Sequence, residues 1–287
     1  MNRATLSGAI VFGLLAGAFA TGGVKAADYP LKAVPAASWA GFYIGGALGK
    51  RWADIEGTST FSVQNFIGPV VQNNIAACPI FPPCTTQKNY DGSTWKGGPF
   101  AGYNFMIAPR WVAGIEGDFN WGSKTTQTVG HSYPISFGGA NPRNSFAVKT
   151  TWDASLRGRA GLLITPTILL YGTGGVAWLH VEATSTCGTT LADSCQPGGI
   201  SPAVNTNSKT VTGWTLGAGA EAQLMANWLV RLDYRYARYG TFSATDTRPC
   251  TPTPSAICGT ATSFVDSYDI KVRTHSVMAG IAYRFGQ

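Results

Sequence analysis

Charged residues that alternate with apolar residues are the chemically notable feature of this 287-residue chain. The pattern occurs in residues 111–119, 152–162 and 228–236, and charges at positions 221 and 284 continue it. Because successive side chains of a β-strand point to opposite faces, the pattern predicts strands with one charged and one apolar face. The predicted charged face consists of Glu116, Asp118, Asp153, Arg157, Arg159, Glu221, Arg231, Asp233, Arg235 and Arg284. Acids and arginines in equal number predict an ion-pair network, since unpaired charge in an interior carries a large desolvation cost.

Haem ligation by His131 and Tyr133 is a second candidate chemistry. Imidazole and phenolate groups both ligate haem iron, so the two residues indicate a hemin-binding loop. An ordinary solvated loop is the alternative interpretation.

Acyl hydrolysis would need a serine beside a histidine, with an acid to orient the histidine. The sequence offers His180 with Ser185, and His275 with Ser276, as thin candidates for such a centre. We expect no enzyme, and neither a metal nor a cofactor is predicted.

The six cysteines form three local pairs, which are Cys78/Cys84, Cys187/Cys195 and Cys250/Cys258. Each pair falls in a different predicted loop, and no predicted strand contains a cysteine. The absence of a C-x-x-C motif argues against a zinc site. Three disulfides within loops are therefore predicted, with free thiols as the alternative.

Eight strand-like segments position these residues. They are residues 39–52, 94–107, 111–122, 146–165, 167–182, 209–225, 228–241 and 269–285. Short turns at residues 108–110, 166 and 226–227 alternate with long loops at residues 53–93, 123–145, 183–208 and 242–266. This asymmetry predicts an all-β fold, an eight-stranded antiparallel transmembrane barrel with short periplasmic turns and four long outer loops. A soluble eight-stranded barrel is the alternative.

Two levels of tryptophan favour the membrane barrel. Trp39, Trp111 and Trp228 lie at the predicted short-turn ends of strands, whereas Trp52, Trp95, Trp121, Trp152, Trp178 and Trp214 lie toward the long loops. Trp111 and Trp121 share one strand face, so about 25 Å would separate them along the membrane normal. Charged residues make up 12% of the chain, compared with about 25% in typical soluble domains.

The N-terminus has the features of a secretory signal. Arg3 precedes a short apolar segment at residues 10–20, and residues 24–26 resemble a cleavage site. We therefore predict a signal peptide at residues 1–26, a proline-containing periplasmic tether at residues 27–38 and the barrel at residues 39–287. The formal net charge is +7 without a basic cluster. It indicates no nucleic-acid partner and suits contact with anionic lipopolysaccharide.

Several segments resemble a known family. They are the opening at residues 39–46, Gly102-Tyr-Asn104, the glycine-rich stretches at residues 172–178 and 213–221, and the Tyr283-Arg-Phe285 ending. Together they are similar to the alphaproteobacterial outer-membrane surface antigens, opacity-like or OmpA-like barrels that are often labelled porins. The resemblance implies an eight-stranded barrel in the outer membrane and a terminal signal, Tyr283 and Phe285, that the barrel-assembly machinery reads. Two further residues follow Phe285, a departure from a strictly terminal aromatic residue.

The function expected from these features is structural. The chain is expected to form a porin-family outer-membrane barrel that displays disulfide-pinned loops and whose lumen is largely plugged by the Arg–Asp/Glu network. A surface receptor for hemin or host molecules is the alternative, and a lipid A-modifying barrel enzyme is a weaker one.

Overall fold

The computed structural model describes residues 39–64, 84–129, 145–187, 203–249 and 263–285. All regular secondary structure in these ranges is β-strand. The segments are β1 (Gly41–Gln64), β2 (Cys84–Ala108), β3 (Trp111–Val129), β4 (Ser145–Thr165), β5 (Ile168–Cys187), β6 (Ala203–Gln223), β7 (Trp228–Tyr239), β8 (Phe242–Pro249) and β9 (Ser263–Arg284). The described ranges contain no helix with the length and hydropathy needed to span a membrane.

The strands form a closed antiparallel ring. Each strand from β1 to β6 pairs with the next, β7 pairs with β9, and β9 pairs with β1. The segments β7 and β8 together make one strand of the barrel. Both pair with β9, on either side of a break at Gly240 and Thr241. The predicted eight-stranded antiparallel barrel is therefore confirmed, and the ninth segment arises from this local interruption.

The strands extend farther toward the long loops than the sequence pattern predicts. Residues 53–64 and 84–93 belong to a predicted loop, yet they continue β1 and β2 as a paired ladder. The same correction applies at the long-loop ends of β3, β5, β6 and β9. Cys84 is the first residue of β2 and Cys187 the last of β5, so the prediction that no strand contains a cysteine is wrong for these two.

A change in side-chain polarity explains the additional strand length. Between the two tryptophan levels, apolar side chains point outward, as shown by Trp111 and Trp121, which are 51% and 60% exposed. Beyond the upper level the pattern inverts, because Ile55 is buried while Asp54 and Glu56 are exposed. The extended part therefore alternates like a soluble barrel, with an apolar interior and a polar exterior.

Candidate functional site

The interior of the barrel is organised in three layers along the strands. The order apolar, charged, apolar is repeated along β4 and β7, whereas β5 carries the uncharged Thr173 at the middle level. The lower apolar layer, at the short-turn end, comprises Trp39, Tyr43, Phe100, Val112, Leu163, Leu169, Tyr171, Leu229 and Ala282. The upper apolar layer, toward the long loops, comprises Ala53, Ile55, Tyr90, Phe146, Val148, Ala177, Leu179, Val181, Ala183, Val211, Ala237, Tyr239, Phe242, Tyr268, Ile270 and Val272. Ionic side chains occupy the lumen between them.

Glu116 is the centre of the charged layer. Its carboxylate accepts two hydrogen bonds from Arg231, at 2.7 Å from Nη1 and 3.0 Å from Nη2. Arg157 donates a further short hydrogen bond, and Arg159 forms an ion pair at 3.5 Å. The Tyr43 hydroxyl donates to Oε2 at 2.8 Å. The Glu116 side chain is 1% exposed, so three guanidinium groups replace the water that an ionised acid would otherwise require.

Asp118 is the second acid of the charged layer. It lies two residues after Glu116 on β3, closer to the upper apolar layer. It accepts hydrogen bonds from Arg235 Nη1 at 2.8 Å and from Arg157 Nη2 at 3.2 Å. The side chains of Ser155 and Asn120 donate to the same carboxylate. Arg157 thus links the two acids of β3 and ties them into one network.

Glu221 and Asp233 extend the network to β6 and β7. Glu221 forms an ion pair with Arg159 Nη2 at 2.9 Å. Asp233 accepts a hydrogen bond from Arg231 Nη2 at 2.7 Å. The Arg159 guanidinium also lies over the Tyr171 ring at 4.2 Å from its centroid, which is cation–π geometry.

Asp153 pairs with two cations that the sequence pattern did not identify, and the Asn120 amide links it to Asp118. Arg51 Nη1 lies 2.9 Å and Lys96 Nζ 2.8 Å from the two Asp153 carboxylate oxygens, and both cations are buried. The signal was present, because Arg51 and Lys96 each directly adjoin an outward tryptophan, Trp52 and Trp95. Alternation along the strand therefore turns both cations inward.

Arg284 and Trp39 depart from their predicted roles. Arg284 is fully buried, but it forms no ion pair with the described residues and donates instead to the Ala226 carbonyl at 3.3 Å. It lies beyond Ala282 of the lower apolar layer, which separates it from the charged layer. Trp39 is also fully buried rather than part of an outward girdle, and its indole Nε1 donates to the Pro166 carbonyl at 3.0 Å. The Arg284 guanidinium lies 5.7 Å from the Trp39 ring centroid.

A small space lies beside the network. Its volume is about 10 Å³, and it is lined by Phe100, Glu116 and Arg157, among other lumenal residues. This is about the volume that one water molecule needs. The Tyr43 side chain also lies against Gly102 of the neighbouring strand, where a Cβ atom would collide with the tyrosine hydroxyl. Glycine there lets an aromatic side chain cross the lumen.

A closed antiparallel ring with an apolar outer band is the architecture of outer-membrane β-barrels. The family described as outer membrane protein beta-barrel domain matches residues 12–285. The chain belongs to this family. It is an outer-membrane protein of the Gram-negative type, and its outward apolar band faces lipid.

Relatives of this barrel carry outer-membrane names. A 31 kDa outer-membrane immunogenic protein of Brucella melitensis biotype 1 is 32% identical over 190 residues, which cover 66% of this chain and 65% of that protein. The chain therefore spans slightly less than two thirds of that relative. A 22 kDa outer membrane protein of Rhizobium leguminosarum bv. viciae is 29% identical over 248 residues, which cover 80% of this chain and 85% of that protein.

A solved structure shows a more distant likeness. The outer membrane protease OmpT from Escherichia coli has a TM-score of 0.48 at 10% identity, covering 85% of this chain and 97% of that chain. A score below 0.5 supports no inference about this chain.

The two His–Ser pairs do not form in this family member. His180 lies on the outer surface, stacked on Trp152 at 5.5 Å, whereas Ser185 is buried inside the barrel. His275 is likewise on the outer surface, where its Nδ1 lies 2.7 Å from the Tyr234 hydroxyl. The adjacent Ser276 is buried on the inner face. Each serine and its histidine therefore lie on opposite faces of the wall.

Tyr283 and Phe285 lie at the short-turn end on the outer surface. Their ring centroids are 5.0 Å apart, and Tyr283 meets Trp228 edge to face. The backbone N–H of Phe285 donates to the Phe42 carbonyl at 2.7 Å, so the final aromatic residue is held to β1. The remaining predicted site residues lie outside the described residues. They are His131, Tyr133, Cys78, Cys195, Cys250 and Cys258.

Proposed function

We propose that this outer-membrane protein is a non-enzymatic structural barrel that displays its long loops and whose lumen is closed to solutes. The observation that carries the proposal is the buried ion-pair layer held between two apolar layers. Eight strands enclose an interior that side chains can just fill. An ion crossing this lumen would have to separate buried ion pairs and pass both apolar layers.

The charged layer supports closure because its groups restrain one another. Arg157 contacts both Glu116 and Asp118, and Arg231 contacts both Glu116 and Asp233. Moving either arginine aside would remove a partner from two buried acids at once, which is unfavourable because buried carboxylates lie out of contact with bulk solvent. This mutual restraint therefore supports a closed lumen over a wide and permanently open channel.

Loop display is the second part of the proposal. The strands continue beyond the upper tryptophan level around the upper apolar layer, which would hold the loops away from the lipid surface. Disulfides Cys78–Cys84, Cys187–Cys195 and Cys250–Cys258 would each close a short ring in a different connection. Relatives are named immunogenic proteins, and surface exposure of the loops is consistent with that name.

We propose that the protein has no enzymatic activity because each candidate serine is separated from its histidine. A serine nucleophile needs a base within hydrogen-bond reach, and both His–Ser pairs are divided by the barrel wall.

Tyr283 and Phe285 are proposed to act in assembly, as the exposed aromatic end of the closing strand.

Conductance of the purified protein in a planar lipid bilayer tests the proposed closure. Wild type is expected to give no steady large conductance. The double variant Arg157→Gln/Arg231→Gln is expected to leak or to lose stability, because its acids lose their partners. The exposed pair Lys124→Gln/Lys209→Gln removes the same charge from the outer surface and should match wild type. A large steady conductance from wild-type monomer would overturn the proposal.

A further inference from the structure

A cavity opens in the barrel wall where β7 ends and β8 begins. Its volume is about 360 Å³. The break at Gly240 and Thr241 creates it, because β6 pairs with β7 only as far as Gly213, and β8 pairs only with β9. The Gly240 N–H donates to the Thr212 carbonyl at 2.9 Å and closes the lower edge of the gap. The wall therefore has a defined recess at this point.

Three cationic side chains line the recess. They are Arg238 on β7 and Lys271 and Arg273 on β9. Arg238 and Arg273 are direct cross-strand partners, and Lys271 is the next residue on the same face as Arg273. Since the Cβ atoms of directly paired residues lie about 5 Å apart, the Arg238 and Arg273 side chains begin close together, and Lys271 begins at the next position on the same face.

Acids on β1 neutralise part of this charge. Arg273 Nη2 lies 3.4 Å from Glu56, an exposed ion pair, and Glu56 and Asp54 are the cross-strand partners of Lys271 and Arg273 on the side away from the recess. Arg238 and Lys271 form no ion pair with any residue in the described part of the chain. Arg238 and Lys271 thus line the recess without an ion-pair partner among the described residues, and Arg273 adds a charge that is partly neutralised from β1.

The position of the recess along the membrane normal indicates the class of its ligand. Arg238 is the cross-strand partner of Trp214, an exposed tryptophan of the upper level that also lines the recess. Below it on the outer face lie Leu216 and Leu232, both exposed. Tryptophan marks the boundary between acyl chains and head groups, so the cations lie at head-group height directly above a lipid-facing surface.

We infer that Arg238, Lys271 and Arg273 bind the phosphate group of an outer-leaflet lipid. The planar guanidinium groups suit two-pronged hydrogen bonding to phosphate oxygens, and the lysine adds a point charge. Acyl chains of the same molecule would lie on Leu216 and Leu232, with Trp214 between the polar and apolar parts. The site depends on the outer-membrane location and not on whether the lumen conducts.

Lipid retention measured by native mass spectrometry in detergent tests the site on the full-length protein. The probe is lipid A with its phosphates, compared with dephosphorylated lipid A, and inorganic phosphate serves as the competitor. The variant Arg238→Gln/Lys271→Gln removes the two unpaired cations. Lys124→Gln/Lys209→Gln is the matched control, because it removes two exposed cations elsewhere on the outer surface. Folding is checked by the heat-dependent gel mobility of each variant.

The expected result is at least a tenfold weakening of phosphorylated lipid A binding in the recess variant, since one charge-assisted hydrogen bond strengthens binding about tenfold. The control should change binding by less than about twofold, in line with the weak effect of distant exposed charges. Should the double variant not fold, the single Arg238→Gln exchange is expected to weaken binding about tenfold. Three results would each overturn the inference: an equal weakening in the control, equal retention of dephosphorylated lipid A, or displacement of the lipid by inorganic phosphate at comparable concentration.

Discussion

Arg231 on β7 and Glu116 on β3 form a two-pronged ion pair across the lumen, with N–O distances of 2.7 and 3.0 Å. The two strands are not neighbours in the ring, so the pair connects separate parts of the barrel wall. The Arg231 guanidinium also lies 4.2 Å from the centroid of the Phe100 ring in the lower apolar layer. One side chain thus joins the charged layer to the apolar layer beneath it.

Replacing Glu116 with glutamine should strongly destabilise the barrel. The exchange keeps the shape of the side chain but leaves Arg157, Arg159 and Arg231 without their shared anion. Breaking a buried ion pair costs about 3–5 kcal/mol, and the unfolding midpoint in urea, followed by gel mobility, should fall accordingly. Glu56→Gln is the control, because the exposed Glu56–Arg273 pair should contribute less than about 1 kcal/mol. Equal midpoints for the two variants would contradict a stabilising role for the network.

An arginine introduced on the outer surface should destabilise the barrel by an amount that depends on its position along the membrane normal. Leu156 lies on β4 between Trp152 and Leu162, the cross-strand partner of Trp111, and therefore near the middle of the apolar band. Leu156→Arg should cost about 2–4 kcal/mol, as expected for arginine at the centre of a bilayer. Thr206→Arg, on the exposed polar extension of β6, should be nearly neutral. Unfolding measured in lipid vesicles distinguishes the two, and similar destabilisation would show that the extension is also embedded in lipid.

Alternation makes much of this site predictable from the sequence. The strand count, the short turns and the inward direction of Glu116, Arg157 and Arg231 all follow from a two-residue repeat. Arg51 escapes the pattern because Lys50 directly precedes it, so two adjacent charges point to opposite faces, and Lys96 escapes it because it is the one charge of its predicted strand. Their inward direction still follows from the neighbouring tryptophans.

Other features require three-dimensional information. The extensions of β1 and β2 resemble loops in sequence because the apolar face changes from outside to inside beyond Trp52, where water replaces lipid as the outer solvent. The pairing of Arg231 with Glu116 depends on the stagger of nonadjacent strands, which a repeat within one strand does not define. Trp39 lies at a strand end, which is the usual position of a girdle tryptophan. It is nevertheless an even number of positions from the inward Tyr43, so alternation places both side chains on the inner face.

Reduction of the proposed loop disulfides should free the cysteine thiols and leave the barrel folded. The six cysteines should all resist alkylation before reduction and all be labelled after it, and peptide mapping should recover the pairs Cys78/Cys84, Cys187/Cys195 and Cys250/Cys258. Each ring should contribute about 2–3 kcal/mol through the loop entropy of the unfolded state. The heat-dependent mobility shift should persist after reduction, because the strand ladder and the lumenal layers remain. Labelling of native thiols before reduction would exclude the proposed disulfides.

Truncation of Trp39 should weaken the barrel more than truncation of the lipid-facing Trp111. Trp39 is enclosed by the lower apolar layer, so Trp39→Ala would leave a cavity that costs about 3–5 kcal/mol. Trp39→Phe would retain most of the packing and lose the hydrogen bond to the Pro166 carbonyl, at a cost of about 1 kcal/mol. In Trp111→Ala, lipid can fill the vacated space, so the destabilisation should be smaller than in Trp39→Ala. Urea unfolding of the three variants gives the order, and a larger effect in Trp111→Ala would return Trp39 to the role of a girdle residue.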